Sequence, residues 1–342
     1  MDLHRILNQF LPDEKNAVIS PLGVGLIHTT YGVGSSNQMR YVLQQINTDV
    51  FRNPEAIASN LEKLVNHSES IDQDPCFPIP LTTVSGSNYA MGENREYFRL
   101  TPYVPDSHAI SVCSSPDEAY EAAFQFGRFS SSYASFDSLQ LKDTISGFHD
   151  LNFRWQQFND ALKNGDQKRL TATRDLLQQI VDQNTILDRY NYIIQSTGFK
   201  KRVSHHDTKI SNVLFSSNRK GMCVIDMDTT MSGYFISDLG DMFRTYLSPG
   251  NEEETDLEKV HVRRDFYSAI LDGYNEKMAD LLSEKEREAL HYAGEFMIWM
   301  QALRFMTDYL MGDVYYGINY EENNLNRVIN QMHLLNHFQQ AN

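Results

Sequence analysis

At 342 residues the chain has room for roughly two domains, and 30 Lys+Arg against 45 Asp+Glu leave it with a net charge of −15. That balance argues against nucleic acid as a partner, because displacing counterions from phosphate needs a cationic surface; an anionic membrane surface is disfavoured for the same reason. With 41% hydrophobic and 22% charged residues the composition is that of a globular chain with a substantial core, not of a disordered one.

Met1 to Arg5 lacks the apolar stretch of a secretory leader. Ala17 to Leu22 is a β-prone run that stops at Gly23-Val24-Gly25. Leu26 to Val33 resumes as a strand, Gly34 to Asn37 is a turn, and Met39 to Ile46 is a third strand, so three antiparallel strands are expected. Asn53-Pro54 opens a helix, with Asn53 as N-cap, Pro54 at the first helical position, and Ile57, Leu61 and Leu64 on the buried face. Leu81 to Asn88 and Tyr97 to Val104 read as further strands. Two prolines in Pro102-Tyr103-Val104-Pro105 place a hinge at about 102–108, dividing the chain into a β-rich part, 1–105, and a mainly helical part, 106–342.

Beyond the hinge, Ser115-Pro116-Asp117-Glu118 has the form of a capping box, and Ala119, Ala122, Phe126, Phe129 and Tyr133 repeat behind it at helical spacing. A second helix carries Leu177, Ile180, Val181, Leu187, Tyr190 and Ile194 and ends before Gly198. One β interruption is expected in this half: Val213 to Phe215, a turn from Asn218 to Gly221, and Met222 to Ile225. The most apolar stretch, Phe296 to Met311, is interrupted by Gln301, Arg304 and Asp308 and is no membrane span. Its polar positions read either as a solvent face with an Arg304–Asp308 pair or as the lining of a cleft that binds a hydroxylated substrate. Cys76, Cys113 and Cys223 are too scattered for a disulfide framework or a zinc site, which suits a cytoplasmic protein.

The strongest chemical signal flanks the expected hairpin. His205-His206-Asp207-Thr208-Lys209-Ile210-Ser211-Asn212 has the form H-x-D-x-x-x-x-N, and Val224-Ile225-Asp226-Met227-Asp228 places a carboxylate nineteen residues after Asp207. Phosphoryl transfer wants a carboxylate beside the attacking hydroxyl, a position Asp207 fits. It also wants hard oxygen ligands for magnesium, which Asn212 and Asp226 supply with Asp228 as a further candidate. Lys209 is placed to meet the transferring phosphate. Gly23 and Gly25 sit between strands, where backbone N–H groups can approach phosphate without a Cβ in the way. The lysine that kinase-like sites carry on the third strand is absent from Tyr41-Val42-Leu43-Gln44-Gln45; Gln44 takes its place, as a phosphate donor or simply as a polar strand residue. The G-x-x-x-x-G-K-[ST] pattern is missing, so this is not a P-loop protein. Asp238 and Asp241 are expected to accept hydrogen bonds from backbone amides near the site.

His205–Asn212 (HHDTKISN), Val224–Gly233 (VIDMDTTMSG) and Ser237–Arg244 (SDLGDMFR) resemble the aminoglycoside-phosphotransferase-like kinase superfamily. Gly25–Tyr31, Tyr41–Phe51, Gly147–Asp150 (GFHD) and Leu303–Tyr316 (LRFMTDYLMGDVYY) are similar to a narrower group, the N-acetylhexosamine 1-kinases and related bacterial sugar kinases. The similarity runs from about residue 17 to about 335. It implies an α+β, bilobal protein-kinase-like fold with a small antiparallel-sheet lobe and a larger helical one, and transfer from ATP with Mg2+ to a sugar hydroxyl. By the same resemblance Asp207 is the base, Asn212 and Asp226 hold the metal, hinge residues Tyr103 and Val104 meet the nucleotide, and Arg304 with Asp308 meets the sugar. Gln44 is typical of the narrower group. Two departures are Met231-Ser232-Gly233 for the usual M-P-G and His28 where asparagine is common. The competing readings are a kinase for an amino alcohol or other small metabolite, and a nucleotide-binding scaffold without turnover.

Overall fold

The computed structural model describes residues 2–23, 27–36 and 38–341. An opening helix, α1 (Leu3–Phe10), was not expected from the sequence; Asp2 caps it, and Ile6, Leu7 and Phe10 form its buried edge. Five strands follow: β1 (Val18–Pro21), β2 (Thr29–Gly34), β3 (Met39–Ile46), β4 (Ala90–Met91) and β5 (Tyr97–Pro102). They make one antiparallel sheet in the order β1-β2-β3-β5-β4. Leu81 to Asn88 is not a strand. Thr83 closes a turn there, its Oγ1 accepting from the Ser87 N–H at 3.0 Å, and pairing begins only at β4, where Ala90 and Met91 meet Phe98 and Tyr97.

Helix α2 (Pro54–Ser70) sits between β3 and β4 in the chain, and the Asn53 side chain accepts from the Ala56 N–H at its start. Its apolar face does not join the small core of the sheet, which consists of residues such as Leu7, Val33, Leu43, Phe98 and Leu100. Instead Ile57, Leu61 and Leu64 belong to the large core of the C-terminal part. A cavity of about 640 Å³, lined among others by Ile57, Leu61, Tyr97 and Arg99, separates the helix from the sheet.

After β5 the chain passes through Tyr103, Val104 and Pro105 into β6 (Ser107–Ala109), which pairs with β8 (Val213–Ser216); β8 in turn pairs with β9 (Gly221–Val224). The expected hairpin is therefore one edge of a three-stranded sheet. A second small pair, β7 (Lys201–Ser204) with β10 (Met231–Tyr234), was missed because each strand spans only four residues. Helices make up the rest: α3 (Pro116–Ser132), α4 (Leu151–Asn164), α5 (Gln167–Ala172), α6 (Arg174–Asp182), α7 (Thr185–Gln195), α8 (Phe235–Tyr246), α9 (Arg264–Met278), α10 (Glu284–Glu288), α11 (Leu290–Leu310) and α12 (Asn323–Gln340). The single helix expected through Leu177 and Ile194 is two, α6 and α7, with the break at Gln183 and Asn184. Ser115 Oγ accepts from Glu118 N as a cap should, but the Glu118 carboxylate turns to Ser114, whose N–H and hydroxyl it accepts at 2.8 Å. No described helix is long and apolar enough to cross a membrane.

The result is an α+β, protein-kinase-like fold, an antiparallel sheet in the N-terminal region against a larger helical C-terminal part. Buried α8 and α11 form the heart of the latter, and they approach so closely that a Cβ on Gly240 would collide with the Ala293 carbonyl oxygen. Gly240→Ala is expected to cost about 1–3 kcal/mol as the helices are forced apart. Urea denaturation checks this, and an unchanged midpoint would refute the close approach.

Candidate active site

The segment from His205 to Asn212 carries no regular structure apart from a short 3-10 turn, Ile210–Asn212, so its backbone amides need partners from elsewhere. Helix α8 supplies them. Asp238 accepts from the His205 N–H at 2.9 Å and the His206 N–H at 2.8 Å, and Asp241 accepts from the Thr208 N–H at 2.8 Å. The two carboxylates, three residues apart, share one helix face and grip successive loop amides. This is the role expected of them. Thr208 Oγ1 donates back to the Asp238 carbonyl at 2.7 Å, and Tyr246 hydroxyl donates to the Thr208 carbonyl. The His205 ring packs edge-on against Phe126 and Phe129, with Nε2 at 2.9 Å from the Ile225 carbonyl. His206 adopts a left-handed backbone with φ 66°, a strained conformation for a non-glycine residue that this grip maintains.

Held this way, Asp207 projects its carboxylate into a cleft of about 1060 Å³ between sheet and helices. Lys209 Nζ donates to Asp207 Oδ2 at 2.8 Å and Asn212 Nδ2 donates to the same oxygen at 2.9 Å. Burial pushes the Asp207 carboxyl up, but Lys209, His205 and Asn212 together bring it below its ordinary value, so it is ionised at neutral pH. The Asn212 amide nitrogen is thus committed and its oxygen is left for another partner. The Ile225 N–H donates to the Asn212 carbonyl at 2.8 Å, and this joins the second motif to the first.

Asp226 follows at once, also left-handed with φ 62°. Burial and the neighbouring carboxylates of Asp228 and Asp207 raise its pKa. No described residue donates a hydrogen bond to its side chain, and Lys209 and His28 offset the rise only in part. Asp228, expected as a further metal ligand, is in a different position. It is fully buried and paired with Arg99 through both oxygens, and the His28 Nε2 lies 2.6 Å from Oδ2. His28 Nδ1 accepts from the Asn47 N–H at 3.0 Å, so the ring proton sits on Nε2, the nitrogen on the Asp228 side. Against the cost of burial, Arg99 and His28 hold the Asp228 carboxyl far below the usual carboxylate range. Its oxygens are taken, and Asp226 is the one of the pair that faces the cleft.

Arg99, on β5, is the residue that the sequence reading missed. Its guanidinium also donates from Nη2 to Gln44 Oε1 at 2.7 Å. Gln44 is therefore oriented by an arginine one strand over, directly opposite it in register. Gly23, Tyr103 and Val104 line the same cleft, with Lys209, Asn212 and Asp226 on its far wall. Gly25 lies outside the described residues.

Arg304 and Asp308 do not line this cleft. Asp308 is buried and has no free oxygen to offer. Oδ1 accepts from the Val314 and Tyr315 N–H groups at 2.9 and 2.8 Å, and Oδ2 accepts from the Tyr316 N–H at 2.8 Å and from Asn324 Nδ2 at 3.0 Å. The expectation of a substrate contact at Asp308 is corrected: it anchors a loop. Its pairing with Arg304 on a solvent face is absent too. Arg304 Nη1 donates to Gln301 at 3.0 Å, and its guanidinium lies 5.1 Å from the Phe148 ring and 5.5 Å from the Tyr316 ring. Phe148 stacks on His149, and the His149 ring is 5.2 Å from that of His206, so this cluster of side chains lies beside the His205–Asn212 loop.

Residues 18–274 match the family described as the phosphotransferase enzyme family. Three solved structures are similar in fold over nearly the whole length. An aminoglycoside phosphotransferase from Alicyclobacillus acidocaldarius has a TM-score of 0.67 at 14% identity, over 99% of this chain and 96% of its own. A microcompartment-associated aminopropanol kinase has a TM-score of 0.63 at 16% identity, with 99% and 96% covered. An amicoumacin kinase in complex with AMP-PNP, Ca2+ and Ami has a TM-score of 0.63 at 12% identity, again over 99% and 96%.

The Arg99–Asp228 pair is 7% and 0% exposed, so removing one partner strands the other charge in the interior. Asp228→Ala is expected to lower unfolding free energy by about 3–5 kcal/mol. Arg99→Met combined with Asp228→Leu should lose far less, and guanidinium titrations of the three proteins distinguish the cases.

Proposed function

The chain belongs to the phosphotransferase enzyme family, and from that premise we propose that it is a kinase that moves the γ-phosphate of ATP to a sugar hydroxyl. The observation that carries the reading is the Asp207–Asn212–Asp226 constellation: an ionised carboxylate, a free amide oxygen and a carboxylate without a hydrogen-bond or ion-pair partner among the described residues, all on one wall of a nucleotide-sized cleft. Its complete set of reacting groups favours an enzyme over a scaffold without turnover.

The donor set fits a divalent cation. Asp226 is crowded by two carboxylates and accepts no hydrogen bond among the described residues, and the Asn212 oxygen is unclaimed; these are the hard oxygen ligands that Mg2+ prefers. When bound there, the ion neutralises charge on the nucleotide's phosphates. The protein's own groups do the rest. Asp207 orients the acceptor hydroxyl and receives its proton. Lys209, 2.8 Å from Asp207, is placed to meet charge on the transferring group. Gly23, Gln44, Tyr103 and Val104 surround the nucleotide end of the cleft, with the segment at 102–108 as the hinge between a lobe of residues 1–105 and one of 106–342.

The acceptor end favours a sugar over an amino alcohol. Recognition of an ammonium group needs carboxylates or free aromatic faces, yet the cluster beside the His205–Asn212 loop presents Arg154, Arg304, His149 and Gln301, and the Arg304 guanidinium already lies over Phe148 and Tyr316. The uncommitted donors of the Arg304 guanidinium beside aromatic side chains suit a ring bearing hydroxyls. Two segments that resemble N-acetylhexosamine 1-kinases, Gly147–Asp150 and Leu303–Tyr316, converge there, so the anomeric hydroxyl of an N-acetylhexosamine or a related hexose is the first candidate.

ADP release measured with N-acetylglucosamine, N-acetylgalactosamine, glucose, aminopropanol and choline tests the proposal; turnover of the amines alone would overturn the sugar reading. Asp207→Asn is expected to reduce kcat by about 10²–10⁴ and leave the Kd for ADP within a few-fold by calorimetry. Turnover near that of the unmodified enzyme would remove Asp207 from the chemistry.

A further inference from the structure

The large C-terminal core takes Ile57, Leu61 and Leu64 from α2. Ala58 and Val65, two helical turns apart and so on one face, border the cavity of about 640 Å³ that lies toward the sheet. Ile79, Leu81, Tyr89 and Tyr97 complete its apolar lining. Hydrogen bonds hold these walls in place. The Leu81 N–H donates to the Leu100 carbonyl at 2.8 Å, and the Tyr89 and Tyr97 hydroxyls both donate to Glu55 in the first turn of α2, at 3.3 and 3.4 Å. Voids left by imperfect packing are few and scarcely larger than a water molecule. This cavity instead falls in the range of small-molecule pockets, roughly 300–1,000 Å³.

Arg99 forms part of the same wall. Its Nη1 and Nη2 are engaged with Asp228 and Gln44, but Nε is buried and has no hydrogen-bond partner among the described residues. The side chain is held at both Nη groups in the interior, so this donor has no route to solvent. A buried N–H left unpaired costs the full desolvation of the group, and an acceptor oxygen arriving in the cavity removes that cost. Glu62 and Glu69, exposed lining residues on α2, put negative charge where the cavity meets solvent. They disfavour an anion. The chemistry that fits is a neutral molecule with an apolar body and an acceptor oxygen.

The geometry points to a regulatory site in this cavity for a neutral, mainly apolar small molecule bearing a carbonyl-type oxygen, which seats its body between α2 and the sheet, offers its oxygen to Arg99 Nε, and tightens nucleotide binding. This goes beyond the sugar-kinase reading and is independent of which acceptor is phosphorylated. Leu61, Pro80 and Arg99 line both this cavity and the cleft that contains Asp207, so one set of side chains is the wall between them. The sheet has only a small apolar core of its own. Filling the cavity adds apolar contact on that side and favours the arrangement in which Arg99 holds Asp228 and orients Gln44. A ligand that favours one arrangement strengthens a second ligand that uses it, and the effect is reciprocal.

The test uses the full chain and benzophenone, a neutral aromatic ketone that also inserts into neighbouring C–H bonds under ultraviolet light. Peptide mass spectrometry should place its label on α2 or on the 79–97 wall. Saturating benzophenone should lower the Kd for ADP by about fivefold or more in calorimetry, and ADP should tighten benzophenone by the same factor. Diphenylmethane, which lacks the oxygen, should bind roughly tenfold more weakly. Ala58→Phe and, independently, Val65→Phe fill the cavity and should remove both the label and the shift in ADP affinity; the labelling map and the diphenylmethane comparison stand without either variant. Label scattered over the surface, label retained in both filled variants, equal affinity for diphenylmethane, or an unchanged Kd for ADP would overturn the inference and leave the kinase reading intact. A chain that takes the label at the cavity yet binds no ADP would overturn the nucleotide reading and the coupling together.

Discussion

The structure turns on one buried ion pair, Arg99 with Asp228. The sheet's own core is small, and the helix that follows β3 in the chain packs with the other part of the molecule, leaving a cavity on the sheet side. What fixes the sheet against the catalytic segment is therefore to a large degree polar. Arg99 reaches from β5 to the carboxylate two residues past Asp226 and on the way sets the orientation of Gln44. Burying two charges costs desolvation energy that their attraction only partly returns, so the pair contributes position more than stability. It places a positive charge beneath the cleft where a third-strand lysine would otherwise bring one. It also takes Asp228 out of competition and leaves Asp226 as the carboxylate facing the cleft.

Much of this molecule could be read in the chain itself, wherever the signal was local. The Met39–Ile46 strand, the helix opened by Asn53 and Pro54, the β8–β9 hairpin and the two acidic motifs on its flanks are each written within about ten residues, over which turn and capping preferences act. Asp238 and Asp241 were legible for the same reason: two short acidic side chains one helical turn apart beside a loop that needs partners for its amides. Arg99 was not. Its partner lies 129 positions away, and in sequence it is one charged residue in Tyr-Phe-Arg-Leu-Thr, indistinguishable from a solvent-facing strand position. The β7–β10 pair escaped because four-residue strands carry too little alternation to register, and the α6–α7 break because apolar periodicity carries across a two-residue interruption.

Helix α11 marks the limit of periodicity. Its spacing placed Gln301, Arg304 and Asp308 on one stripe and left their meaning open between solvent and substrate. The structure divides them. Gln301 and Arg304 meet the aromatic side chains of Tyr316 and Phe148, whereas Asp308 is withdrawn into a fourfold backbone and amide clamp. Residues sharing one helical face thus do different work, because what each meets is set by the loop folded over it and not by the helix that carries it.

That loop has an implication for how such an enzyme changes. The Val314–Tyr316 wall is suspended from a single carboxylate on α11, whereas the reactive loop hangs from Asp238 and Asp241 on α8. The two attachments share no residue. An insertion or exchange in the 314–316 segment can therefore be absorbed while Asp207 and its neighbours keep their places, so the two parts are free to diverge independently.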